Sequence, residues 1–264
     1  MRRCALTRLV VAAALLFCGW ATTEPIEAAG DAAPQNSTPA SRVEDTYRKF
    51  LSRREAEPTN LVVAWQFAAA CFDKCEFSRT DSERAEIANQ GITACQWALS
   101  EDPRLAPAHY YLGMDLAQLA RTKLLGALSL LDRVEHEWMY TIQLDENFDY
   151  AGGERNLGLL YLDAPGWPVS LGDRGRARQH LLRAVNLHPE YPENHLNLIE
   201  AYLKWHDRKL SIDATNPYVK ILGAARVKFA GPDWESAWDD WDKRWQKIQS
   251  EMGRSGLASP YSRK

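Results

Sequence analysis

Arg155 sits between Gly152-Gly153-Glu154 and Asn156-Leu157-Gly158. A forked guanidinium at the entrance of a helix that opens on two glycines suits the gripping of a small anion. A salt bridge to Asp173 or to the neighbours of Glu154 would occupy the same fork. Asp145, Glu146 and Asp149 lie close together and are the acids an enzyme could use for proton transfer, although a turn between helices accounts for them equally well. His109, His136, His180, His188 and His206 are widely spaced, with no pair one helical turn apart, so no metal site is expected. There is no G-x-S-x-G elbow and no phosphate-binding loop, and Gly152-Gly153 lacks the strand and third glycine of a nucleotide fingerprint. These absences point to a non-enzymatic protein without a cofactor.

The cysteines leave two readings. Cys71 and Cys75 are four residues apart, on one helical face, and Cys95 falls on the next helix, so Cys95 could pair with either in an oxidising compartment. Three small buried hydrophobes are the alternative.

With 32 Lys+Arg against 35 Asp+Glu, the charge is too balanced for a nucleic-acid binder, and with 45% hydrophobic residues the chain is too apolar to be disordered. Arg2, Arg3 and Arg8 precede the apolar run Leu9 to Trp20, and small Gly19 and Ala21 suit a signal peptidase, so residues 1–21 read as a signal peptide. Export, to the periplasm, is the expectation. Cys18 offers a competing lipid anchor, against which stands the bulky Phe17 before it, so a membrane tether stays open. Residues 22–42 read as a flexible linker and 253–264 as a disordered tail.

Between them, apolar residues recur at spacings of three and four rather than alternating, which predicts an all-α body. Helices are expected over 41–54, 59–77, 82–100, 106–119, 124–143, 152–162, 173–186, 192–205, 217–229 and 232–252, the ninth opened by Asn216-Pro217. The helix endings Ala98 to Pro103, Thr141 to Glu146 and Ala184 to Pro189 return at intervals of 43 residues, and Leu-Gly pairs follow at 112–113 and 157–158.

The Leu-Gly pairs, followed by Ala177, Leu181, Ala184 and Pro189, resemble the tetratricopeptide repeat. The fold this implies is a right-handed helical-hairpin solenoid of about four degenerate repeats over 43–230, closed by a Trp-rich capping helix at 231–252. Gly113 and Gly158 would let paired helices approach closely, Ala177 and Ala184 would leave room for the next repeat, and Pro189 would end a helix. Such a repeat spans about 34 residues, so about nine extra per unit are expected in the connections near 75–84, 121–131, 164–170 and 206–215.

A narrower resemblance is carried by Gly152 to Gly158 and by Ala164-Pro165-Gly166-Trp167-Pro168-Val169-Ser170-Leu171-Gly172-Asp173, which look like the T-component family of TRAP transporters. It implies an accessory protein that associates with an extracytoplasmic solute-binding protein and carries a small organic acid between its helices. A protein-binding adaptor without a small ligand is the alternative. On either reading the candidate contact residues are Tyr110, Arg155, Asn156, Trp167, Asn194 and His195, with packing within the repeat as the bland account of each. Gly172 would end its loop and Asp173 would cap the following helix.

Trp234, Trp238, Trp241 and Trp245 continue to Ile248 and Met252 in steps of three and four, a single apolar face. A cap on the open end of the solenoid would bury it. A homo-oligomer or partner contact, or a membrane surface, would bury it too.

Overall fold

The computed structural model describes residues 38–123, 126–166 and 168–254, and among these it is all α. Ten helices follow in order: α1 (Pro39–Ala56), α2 (Leu61–Glu76), α3 (Asp81–Glu101), α4 (Ala106–Arg121), α5 (Ala127–Leu144), α6 (Phe148–Asp163), α7 (Arg174–Leu187), α8 (Pro192–Lys204), α9 (Arg208–Lys228) and α10 (Glu235–Arg254). None of the described helices is long and apolar enough to cross a membrane. The expected signal peptide, most of the expected linker and residues 255–264 lie outside the described residues, as do Cys18 and Trp167, while Gly253 and Arg254, assigned to the disordered tail, instead complete α10. Residues 39–42, assigned to the linker, are instead the first turn of α1, where the Thr38 hydroxyl accepts from the Ser41 N–H.

Four antiparallel hairpins, α2/α3, α4/α5, α6/α7 and α8/α9, stack in sequence, with α1 before them and α10 after. Each first helix also touches the next, from α2 through α4, α6 and α8 to α10, so these five line one continuous face. Polar caps start several helices: the Asn60 side chain accepts from Val62 and Val63, Asp173 from Arg176, and Asp207 from Leu210.

The small residues sit where close approach requires them. A β-carbon added at Gly158 would come within 2.6 Å of Leu181 Cγ and 3.1 Å of its backbone nitrogen, and one at Gly113 within 2.5 Å of Trp138 Nε1. Ala177 and Ala184 are fully buried. Pro189 lies in the turn after α7.

Two histidines mark the turns. His195 Nε2 donates to the Pro189 carbonyl at 2.7 Å, and His109 Nε2, two periods earlier, donates to the Pro103 carbonyl at 3.0 Å. Burial lowers the His195 pKa. Burial also acts on His109, but hydrogen bonds to Glu137 and to the Pro103 carbonyl outweigh it and raise its pKa.

Two features depart from the sequence expectation. The extra residues of the long period do not form broad loops in three of the four hairpins. They lengthen helices, to 21 residues in α3 and α9 and 18 in α5, and only α6 and α7 are joined by a long connection. Pro217 does not begin a helix either: α9 is capped by Asp207 and runs through it. Ser211, Thr215, Tyr218 and Ala225 form one buried face in α9, and packing along that face carries the helix past a ring that removes one hydrogen bond.

The tryptophan stripe is buried as a cap would bury it. Trp238 and Trp241 are inside and Trp234 and Trp245 partly so, packed with Tyr191, Ile199, Tyr218 and Phe229 of α8 and α9. The Trp238 indole donates to the Phe229 carbonyl at 2.7 Å. Cys71, Cys75 and Cys95 are free, fully buried thiols, so the Cys95 pairing is not made in this structure and all three fill the core.

Gly158→Ala is expected to lose about 1–3 kcal/mol to overpacking against Leu181. Gly223→Ala, on α9 with nothing within 4 Å of the added carbon, is expected to gain about 0.5–1 kcal/mol from helix propensity. Urea unfolding of the two variants checks both signs; equal effects would mean that Gly158 does not mark a close helix contact.

Candidate functional site

The right-handed part of α6 begins near Gly152, but three residues before it coil the other way. Asp149, Tyr150 and Ala151 have φ of 52°, 54° and 63°. Each residue with a β-carbon costs roughly 1–2 kcal/mol in that conformation, so neighbouring groups must hold the turn.

Arg155 holds it from within. Its guanidinium donates to the carbonyls of Asp149 at 3.1 Å and Tyr150 at 3.3 Å, to Asn194 Oδ1 at 3.2 Å, and to the Asp149 carboxylate. Asn194 Nδ2 donates to the Tyr150 carbonyl and to that of Ala184, each at 3.0 Å. The Tyr110 hydroxyl donates to Asp149 Oδ2 at 2.5 Å. Arg155 is 1% exposed, so the Asp149 carboxylate and these carbonyls stand in for water around the charge.

Four of the six residues singled out from sequence therefore meet in one place: Tyr110, Arg155, Asn194 and Asn156, whose amide reaches Met114 Sδ at 3.1 Å. Of the two readings of Arg155, the ion pair within the chain is the one made, with Asp149 in place of Asp173 or the neighbours of Glu154. Its fork is filled by this chain's own acceptors, so it is not an open anion site. His195 is elsewhere, packed near Tyr218 with its Nε2 on the Pro189 turn. Trp167 is outside the described residues. The remaining part of its loop is built as expected, with Gly172 N–H donating to the Pro165 carbonyl at 2.9 Å and Asp173 capping α7. The three acids with a conceivable catalytic role have structural bonds: Asp145 accepts from the Asn147 N–H, Glu146 pairs with Arg183, and Asp149 holds Arg155.

Beside this network, α2, α4 and the start of α6 enclose a cleft of about 20 Å³, room for one water-sized group. Ala69, Phe72 and Asp73 come from α2, Tyr110, Tyr111 and Met114 from α4, and Asp149 and Arg155 from α6. Its aromatic wall is ordered: Tyr111 stacks on Trp65 at 5.8 Å, and Tyr110 meets Tyr111 edge-on at 5.1 Å. Burial, with the Glu76 and Asp149 carboxylates nearby, pushes Asp73 up to about 8. Asp115, on α4, is fully buried against Gly91 with neither oxygen hydrogen-bonded, and its pKa is also raised, first by burial and then by Asp73.

Sequence reasoning missed Asp73, Phe72, Tyr111 and Met114. The available signal was the repeat: counted back from the Leu112-Gly113 pair, Ala69 and Asp73 on α2 fall near the register of Met114 and Gln118 on α4.

No family model matches the sequence, and no curated protein matches it. Among solved structures, the chain is similar to TTC0263, a thermophilic TPR protein of Thermus thermophilus, with a TM-score of 0.57 and 16% identity over 80% of this chain and 91% of that one. Yeast Tom70 aligns at 9% identity over 84% of this chain and 61% of its own, with a TM-score of 0.34. The Thermus likeness, with the stacked hairpins, establishes a tetratricopeptide-like all-α solenoid.

Arg155→Met would strand the buried Asp149 carboxylate and release the left-handed turn, with an expected loss of about 3–5 kcal/mol in urea unfolding. Adding Asp149→Asn should restore part of it; strictly additive losses would show that the pair is not coupled. Asp73 has its own pH signature. Because its folded pKa is raised, its stabilising contribution is present below the unfolded value near 4 and is lost as pH rises to about 8. Thermal melts should therefore show Asp73→Asn gaining on the wild type across that window, and a constant difference would contradict the burial of the carboxyl group.

Proposed function

We propose that this chain is a non-enzymatic adaptor or scaffold, which holds a protein partner on the face formed by its successive first helices. The observation that carries this reading is the internal engagement of Arg155. The cation best placed for a small organic acid is closed off by Asp149, Tyr150 and Asn194, and the cleft beside it holds one water-sized group rather than an organic acid. The successive first helices form one continuous face, the kind of face on which solenoid proteins seat a polypeptide. In the same proposal the basic and apolar start of the chain exports it, with or without a lipid tether at Cys18. The resemblance to T components then makes an extracytoplasmic solute-binding protein one candidate partner. Support for that partner rests on residues 165–173 and 177–189, not on the groove.

The test is quantitative co-isolation of the full chain from its source cells, followed by mass spectrometry of proteins and of small molecules. Ala69→Arg, at the partly buried lip of the cleft, should lower recovery of the partner at least about tenfold if groove contacts supply about 1.4 kcal/mol or more. Val227→Arg, at a position 80% exposed on α9, should leave recovery unchanged. Loss with Val227→Arg and retention with Ala69→Arg would move the interface off the groove, and a stoichiometric organic acid in the purified chain would favour solute handling.

A further inference from the structure

We propose that the cleft between α2, α4 and the start of α6 is a lysine socket, which seats the ε-ammonium of a partner protein's lysine against the Asp73 carboxylate and the rings of Phe72, Tyr110 and Tyr111. The inference rests on the adaptor reading and supplies the chemistry of its partner.

Three observations converge on this occupant. The first is size: a cavity of about 20 Å³ accepts a water-sized head, which an ammonium is and a planar guanidinium is not. The second is the wall. Tyr110 and Tyr111 meet edge-on, Phe72 lines the α2 side, and aromatic rings beside a carboxylate favour a cation over an anion.

The third is charge. The carboxylates and cations around the cleft are Asp73 and Glu76 on α2, Asp115 on α4, and Asp149 and Arg155 on α6. Arg155 is neutralised by Asp149, and Glu76 by Arg121 at 2.7 Å. Among the described residues Asp73 and Asp115 both lack a hydrogen bond or ion pair, but of the two only Asp73 lines the cleft, so it is the carboxylate left for an incoming cation. An acidic side chain would face Asp73 and Asp149 together. A chain's α-amine would bring its adjacent peptide N–H and C=O to the mouth of the cleft, whereas lysine carries its ammonium on an apolar stem that stays outside.

Binding must also move a proton. The free Asp73 group titrates at about 8 and is largely protonated at neutral pH, because burial and the Glu76 and Asp149 carboxylates oppose its charge. An arriving ammonium favours the ionised form, so that proton leaves to solvent as lysine enters. Affinity should climb with pH, approaching about tenfold per unit below about 8, and level off until the lysine amine itself titrates near 10.4.

The full chain has four methionines, and among the three described, Met114 alone lines the cleft. Methyl-labelled methionine therefore gives one resonance that reports occupancy, with Met139 on the exposed side of α5 and Met252 in the α10 cluster as internal controls. The probe is Nα-acetyl-lysine methylamide, compared with its norleucine and arginine counterparts. Saturable movement of Met114 with lysine alone is expected, weakened at least about tenfold by Asp73→Asn and strengthening from about pH 6.5 to about 8. Equal response to norleucine, no response to lysine, or a lysine affinity indifferent to pH would each overturn the socket. If Asp73→Asn does not fold, the wild-type pH series decides alone. Failure here alongside loss of partner in Ala69→Arg would remove the socket and leave the adaptor standing, while retention of the partner in Ala69→Arg would remove the groove reading itself.

Discussion

One guanidinium ties three repeats together. Arg155 reaches back to Tyr110 on α4, sideways to the Asp149–Ala151 turn of its own segment, and forward to Asn194 on α8. Burying that charge is unfavourable unless its donors find acceptors, and the bonds of its two terminal nitrogens draw on all three hairpins at once. Close apolar packing permits many small slips of one helix along another, whereas a fully engaged arginine does not. The left-handed turn follows from the same requirement: Asp149 and Tyr150 direct their carbonyls at Arg155 only if the backbone coils the unfavourable way, and the arginine offsets that strain.

Polar contacts of similar sequence separation continue the register along the stack. Gln118 donates to Glu76, Asn156 to Met114, Lys204 to Asp163, and Arg244 to Glu200 at 2.8 Å, all between successive first helices and 41 to 44 residues apart. The 43-residue interval in the sequence is thus a spatial fact, the distance along the chain that brings a side chain beside its counterpart one layer on.

How much of this was legible depended on whether the residue type betrays its surroundings. Gly113, Gly158, Ala177 and Ala184 are small because backbones meet there, and that reason is visible in a spaced pattern of small residues. The tryptophan stripe was equally plain, since indoles in steps of three and four need cover. The path of α9 was hidden because its buried face begins with Ser211 and Thr215, which read as polar, while Pro217 reads as a break. The paired turns Pro103 to His109 and Pro189 to His195 were readable as a repeated Pro-x5-His, yet a histidine is more readily noticed as a ligand than as a donor to a carbonyl. Arg155 was legible only in part: sequence reveals a cation near a helix entrance, but whether its acceptors are a ligand's or the chain's own depends on atoms 39 residues away. Nothing local distinguishes Asp73 from a solvated acid, because its environment is made by α4 and α6.

The stack stops at α10 for reasons of both size and charge. A further hairpin would need small residues to approach, as Ala184 lets Asn194 of the next hairpin reach its carbonyl, but α10 turns its large indoles inward against Tyr191, Tyr218 and Phe229. Its other side carries Asp239, Lys243 and Lys247, all exposed, and covering them with another apolar layer would take these charges out of water. Arg244, at the boundary, still follows the rule of the interior layers by bonding Glu200 and Asn197 of α8. The helix is therefore a first helix on its inner side and a water-facing surface on its outer side. That division lets it extend the shared face by one layer while ending the hydrophobic core, so the face of first helices is one helix longer than the four hairpins alone would make it.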